Sequence, residues 1–101
     1  MGRASRAKPL RLGEKLRRIR TTFGLSQDGM LIRLGPLDVS LNRSSISGYE
    51  LGTREPSLLT LYSYAKLVNI YMEVLVDDNL DLPDTLPVEE RGAGLLKRRR
   101  A

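Results

Sequence analysis

Arg43, Ser44, Ser47 and Arg54, with Gln27 upstream, are the side chains here whose types and spacing suggest chemistry. That chemistry is recognition by hydrogen bond and charge. Arg43 carries a planar fork of donors that suits a paired acceptor edge or a phosphate, and nothing in the sequence decides between them. Ser44 and Ser47 are short donor–acceptors able to work directly or through water. Ser45, between them, is expected to meet the backbone or a neighbouring helix more than a ligand. The chain has no His and no Cys. It therefore lacks the commonest general base, the commonest metal ligand and any disulfide framework. Asp77, Asp78 and Asp81 are the nearest thing to a cation site, but they lack a calcium-loop spacing and have no nucleophile–base pair beside them. The expectation is no catalytic residue, no metal and no cofactor.

The rest of the chain must position those side chains. With 101 residues, it is long enough for one small domain with a modest core, and 41% apolar residues place it in the globular range. No apolar run approaches the roughly 20 residues that span a bilayer, and the basic N-terminus lacks a signal peptide's apolar stretch. A cytoplasmic protein without a membrane partner is expected. The net charge of +5 is unevenly spread. Residues 1–20 hold eight basic side chains against Glu14, residues 73–90 hold seven acids and no base, and residues 91–101 hold five bases and no acid. A basic front suits a polyanion, although a solvated surface would look the same. Arg3, Arg6 and Lys8 lie in a basic arm (1–9) that either follows such a partner or serves as a solubilising tail.

Helical periodicity runs through residues 10–77. Leu12, Leu16, Ile19 and Phe23 make one face of a first helix, from about Leu10 to Thr22, with Pro9 at its start and Gly24 at its end. Ser26 caps a second helix with Met30, Leu31 and Leu34 inward, stopped by Gly35-Pro36. Gly29, within it, suggests either a close backbone approach or plain tolerance. Asn42 caps a third helix, from Arg43 to about Leu51. Ile46 and Tyr49 face inward there, while Arg43, Ser44, Ser47 and Gly48 face largely outward. Ser57 caps a fourth, with Leu58, Leu61, Ala65 and Val68 as its inner face. Ile70, Met72 and Leu75 predict a short fifth helix. Residues 78–101 are acidic then basic, carry Pro83 and Pro87, and read as an extended tail. Leu80, Leu82, Leu86 and Val88 in that tail can pack on the domain or on a partner.

In this order the residues become recognisable. Leu16, Ile19, Arg20, Gly24-Leu25-Ser26-Gln27, Met30, Leu34-Gly35, Ser44-Ser45-Ile46-Ser47, Tyr49-Glu50, Gly52, Pro56, Leu58, Leu61, Ala65, Ile70, Met72 and Leu75 resemble the phage-repressor/Cro-like, XRE-type helix-turn-helix family over residues 12–76. The resemblance implies an all-α, compact five-helix domain that binds double-stranded DNA, in most members as a transcriptional regulator on two half-sites, and so as a homodimer. It implies DNA contacts for Asn42, Arg43, Ser44, Ser45 and Ser47 on and before the third helix. It also implies a backbone contact for Gln27, whose helix N-terminus suits a phosphate, and a phosphate contact for Arg54. Arg20 and Glu50 are implied to pair, partly buried, between the first and third helices. The sequence departs from the family in an insert within Pro36 to Ser40, in Met30-Leu31, and in Gly48, where a long polar side chain is common. A repressor is the leading expectation. The alternative is an antitoxin-type module that neutralises a toxin through residues 78–101 and regulates its own gene by binding DNA.

Overall fold

The computed structural model describes residues 8–35 and 41–86. Arg3, Arg6, the insert at 36–40, Val88 and the terminal basic run lie outside the described residues. Five helices follow one another: α1 (Leu12–Thr22), α2 (Gln27–Leu34), α3 (Arg43–Leu51), α4 (Leu58–Leu67) and α5 (Met72–Val76). The described residues include no strand, and the fold is all-α, as expected.

The helix starts follow from local chemistry. Ser26, Asn42 and Ser57 each accept a hydrogen bond from the backbone amide three residues on. Each such cap contributes about 1 kcal/mol. The apolar faces then meet in one core. Leu16 and Ile19 of α1, Met30 of α2 and Ile46 of α3 are fully buried there, with Val68 at the end of α4 and Leu75 of α5. One aliphatic position differs from expectation. Leu58, assigned to the inner face of α4, is 71% exposed, because it is the first residue of that helix and overhangs the core. Tyr64 of the same helix is fully buried. Gly29 meets only Leu25 and Ser26 side chains of the preceding turn, so it does not mark a contact with another backbone.

α1 begins at Leu12 instead of Leu10, and the reason lies at the other end of the chain. Asp78 accepts hydrogen bonds from the Leu10 and Arg11 amides, at 2.9 Å each for its closer contacts. No side chain of α1's own N-cap does this. In return, Lys15 of α1 donates to the carbonyls of Val74, Asp77 and Leu80, at 2.8, 3.0 and 2.8 Å. An acid thus sits at the start of α1 and a cation at the end of α5, each matching the local helix dipole. Arg18 extends the clasp to the carbonyls of Pro83 and Asp84, and Arg11 pairs with Asp81 at 2.8 Å. Leu82 and Leu86 are buried beneath it. The part of the tail from Asp78 to Asp84 therefore packs on α1.

Lys15 is only 2% exposed, so its ammonium depends on those three carbonyls. Burial lowers its pKa from the ordinary 10.5, as does the charge of Arg11, with Asp78, Asp81 and Asp77 opposing. Asp78 moves in the direction that stabilises its charged form. Hydrogen bonds from the Leu10 and Arg11 backbones hold its carboxyl below the usual 3.8. A carboxylate depressed by folding adds stability that is complete above its unfolded value and lost as pH falls through its folded one. Thermal melts should therefore show the protein weakening as pH drops below about 4. Asp78→Asn should be less stable at neutral pH and lose less on acidification. Parallel acid profiles for the two proteins would show that the clasp does not depend on this charge.

Candidate nucleic-acid interface

The geometry of α3 starts from its inner side. Ile46 is fully buried and Tyr49 is 7% exposed. Next to them, Glu50 receives the guanidinium of Arg20 from α1 in a two-pronged pair, Nε to Oε2 at 2.7 Å and Nη2 to Oε1 at 2.9 Å. The Arg20 and Glu50 side chains are 14% and 5% exposed, so the pair is mostly buried. The hydrogen bond to Glu50 raises the Arg20 pKa despite burial. A third prong of Arg20 donates to the Leu25 carbonyl at 2.9 Å, which ties in the turn before α2.

Gly13 sets how closely α1 and α3 approach. A Cβ there would lie 2.5 Å from the Glu50 carbonyl oxygen and 2.9 Å from that of Tyr49. Both are backbone atoms of α3 and cannot swing aside, so only glycine allows this crossing. The sequence reading passed over Gly13, because one glycine in an amphipathic helix carries no periodic signal.

The outward side of α3 is a stripe at helical spacing: Arg43, Ser47 and Leu51, each four residues apart, with Ser44 alongside. Arg43 and Ser44 are exposed, Ser47 is half-buried and Leu51 is 75% exposed. Arg43 rests 3.6 Å from Asp28 on the first turn of α2, both side chains about two-thirds exposed at 65% and 64%. Such a surface pair contributes at most about 1 kcal/mol, so it holds Arg43 only loosely.

Ser45, Asn42 and Gln27 have partners within the chain, and Gly48 departs from its sequence-based assignment. Ser45 is 1% exposed. Its amide donates to Asn42 Oδ1 and its hydroxyl accepts from the Asn42 amide, a reciprocal cap that removes Ser45 from the outward face. Asn42 is exposed, yet its side-chain oxygen serves that same cap. Gln27 turns its amide nitrogen to Glu50 at 3.3 Å, so in the free protein it braces the ion pair. Gly48 is buried instead of outward-facing. The aliphatic stem of Arg54 lies across it, and a Cβ at Gly48 would come within 2.6 Å of Arg54 Cδ. The long side chain missing at this position is thus replaced from outside the helix by Arg54. Lys8 is exposed at the start of the described chain. Leu51 shares the outward stripe, and its spacing of four from Ser47 and eight from Arg43 was visible in the sequence.

A helix with a buried apolar side, a polar outward stripe and a second helix lying against its start is the recognition unit of a helix-turn-helix domain. No family model matches the chain, and no curated protein matches it. Among solved structures, it is similar to the restriction-modification controller protein C.AhdI from Aeromonas hydrophila. Identity is 33%, over 65% of this chain and 92% of that one, with a TM-score of 0.53. The chain belongs to the helix-turn-helix regulator family that this controller protein represents. None of the described helices is long and apolar enough to cross a membrane.

Gly13→Ala should lower the free energy of unfolding by about 1–3 kcal/mol, as expected for forced overpacking. Urea denaturation measures this directly. An unchanged midpoint would mean that the α1–α3 crossing yields at no cost.

Proposed function

We propose that this protein is a sequence-specific double-stranded DNA-binding transcriptional regulator, a repressor in its basic mode, which acts without catalysis or cofactor in the cytoplasm. The observation that carries the reading is the exposed stripe of α3, with its opposite side locked by Ile46, Tyr49 and Glu50. A helix of this kind can enter a major groove while its back stays docked. Arg43 supplies the fork for a guanine edge or a phosphate, and Ser44 and Ser47 supply short contacts. Arg54, laid over Gly48, supplies a second cation at the shoulder of the same helix. Lys8 adds a cation near the same face, and Arg3 and Arg6 precede it in the sequence as further candidates for backbone contact. The likeness to a restriction-modification controller protein supports a regulatory role.

Binding as a homodimer on two half-sites follows from the same reading. Two copies would set their α3 helices about 34 Å apart along the duplex. On α4, Leu58, Leu59 and Tyr62 are exposed on one side, and this apolar surface suits a second copy of the chain. The alternative of a toxin-neutralising module acting through residues 78–101 has less to draw on, since Leu82 and Leu86 are already buried against the chain's own helices.

The test is selection of bound fragments from random duplex DNA, with the mass of the complex measured. A single enriched motif with two half-sites and two chains per fragment is expected. Binding that is indifferent to sequence would overturn the reading. On the selected fragment, Arg43→Ala should weaken binding by about 1–3 kcal/mol while leaving the melting temperature unchanged. The seat of Arg54 gives a sharper check. Arg54→Ala should reduce the slope of log affinity against log salt by about one. Gly48→Ala should reduce it equally by displacing the arginine, and the double variant should go no further. Additive losses would separate Gly48 from Arg54.

A further inference from the structure

Leu51 is the feature of the recognition surface that polar contacts leave unexplained. It is a large apolar side chain, 75% exposed, at the end of the same stripe that begins with Arg43 and passes through Ser47. Among the described residues no neighbour covers it, whereas the adjacent shoulder at Gly48 is covered by Arg54. Single exposed leucines are ordinary on protein surfaces. One in line with the hydrogen-bonding groups of a helix that enters DNA is a different matter. In the major groove every base pair presents polar edges except for one apolar group, the 5-methyl of thymine. An apolar side chain facing a groove has that group as its one favourable partner.

We propose that Leu51 is a specificity-determining residue that reads a thymine 5-methyl group in each half-site. The inference rests on the DNA-binding reading above and deepens it. Arg43 and the serines supply the polar contacts of the half-site. Leu51 adds a methyl contact at the position reached by the end of α3. Removing the methyl then leaves the leucine facing water, a loss on the order of fourfold in affinity per contact. Leu10, also exposed, lines the same shallow recess as Leu51, so the rival occupant is an apolar surface of a protein.

The experiment replaces each thymine of the selected operator by deoxyuridine in turn, which removes the methyl and nothing else. With the full-length protein, one position per half-site should weaken binding by roughly fourfold. Leu51→Ala should bind the thymine operator about as the parent binds the uridine one, and should be indifferent to the replacement. Leu51→Met, apolar and of similar volume, should keep the discrimination. Melting temperatures of both variants should match the parent, because the side chain is exposed. Specific binding with no thymine position sensitive to its methyl would overturn this proposal while leaving the DNA-binding reading intact. So would an equal uridine penalty in parent and Leu51→Ala. A change in the mass of the free protein without any change in thymine discrimination would assign Leu51 to a protein contact instead. Loss of all sequence-specific binding by the parent would overturn both readings.

Discussion

The Arg20–Glu50 pair holds together the parts of the molecule that matter for function. Its two hydrogen bonds join α1 to α3, and its third joins α1 to the turn that launches α2. Gln27, at the start of α2, donates to the same carboxylate. Two helices and the turn between α1 and α2 are thus fixed relative to α3 by one guanidinium and one carboxylate. Apolar contacts alone would leave α3 free to roll, since Ile46 and Tyr49 define only one side of it. A directional pair in a dry setting adds a rotational stop. Its net contribution to stability can be small, because both charges lose water on burial. Loss of either partner is costly for the same reason. Tyr64 lies fully buried in the same core, and burial, with the charge of Glu50, raises its pKa above the ordinary 10.0. Its hydroxyl has no hydrogen-bond partner among the described residues.

The second organising constraint is the clasp between α1 and the residues after α5. It changes the meaning of the basic N-terminal region. Arg11, Lys15, Arg18 and Arg20 are all turned to partners within the chain. The positive charge available to an external polyanion is therefore smaller than the tally suggests. On or near the α3 side it is carried by Lys8, Arg43 and Arg54. α1 thus faces two ways. Gly13 and Arg20 face α3, while Lys15 and Arg18 face the clasp.

Much of this was legible in the sequence, for specific reasons. Ser26, Asn42 and Ser57 marked three helix starts, because a small polar residue before a periodic apolar run has one dominant use. Ile46, Tyr49, Arg20 and Glu50 were placed by their order within a recognisable motif. The clasp was not legible, although a basic block and an acidic block of similar size were both in view. Charge counts carry no direction, and Asp78 caps a helix 67 residues away in sequence. Gly13 carried no signal and Gly48 was assigned to the wrong side, because a glycine's role is set by what lies against it, and that is known only once the helices are packed. Ser45 was placed in the site by its position in the motif, but its hydroxyl is spent on the cap of its own helix.

The central claim is that the Arg20–Glu50 pair orients α3 for its outward stripe to meet DNA. A double-mutant cycle over Arg20→Ala and Glu50→Ala, read in both unfolding free energy and affinity for the selected DNA, tests it most directly. The account predicts that each single change costs about 3–5 kcal/mol of stability and that the double change costs clearly less than their sum. It also predicts that each single variant, cooled until folded, binds the DNA far more weakly than the parent. Additive stability losses, or full affinity in a folded single variant, would contradict it.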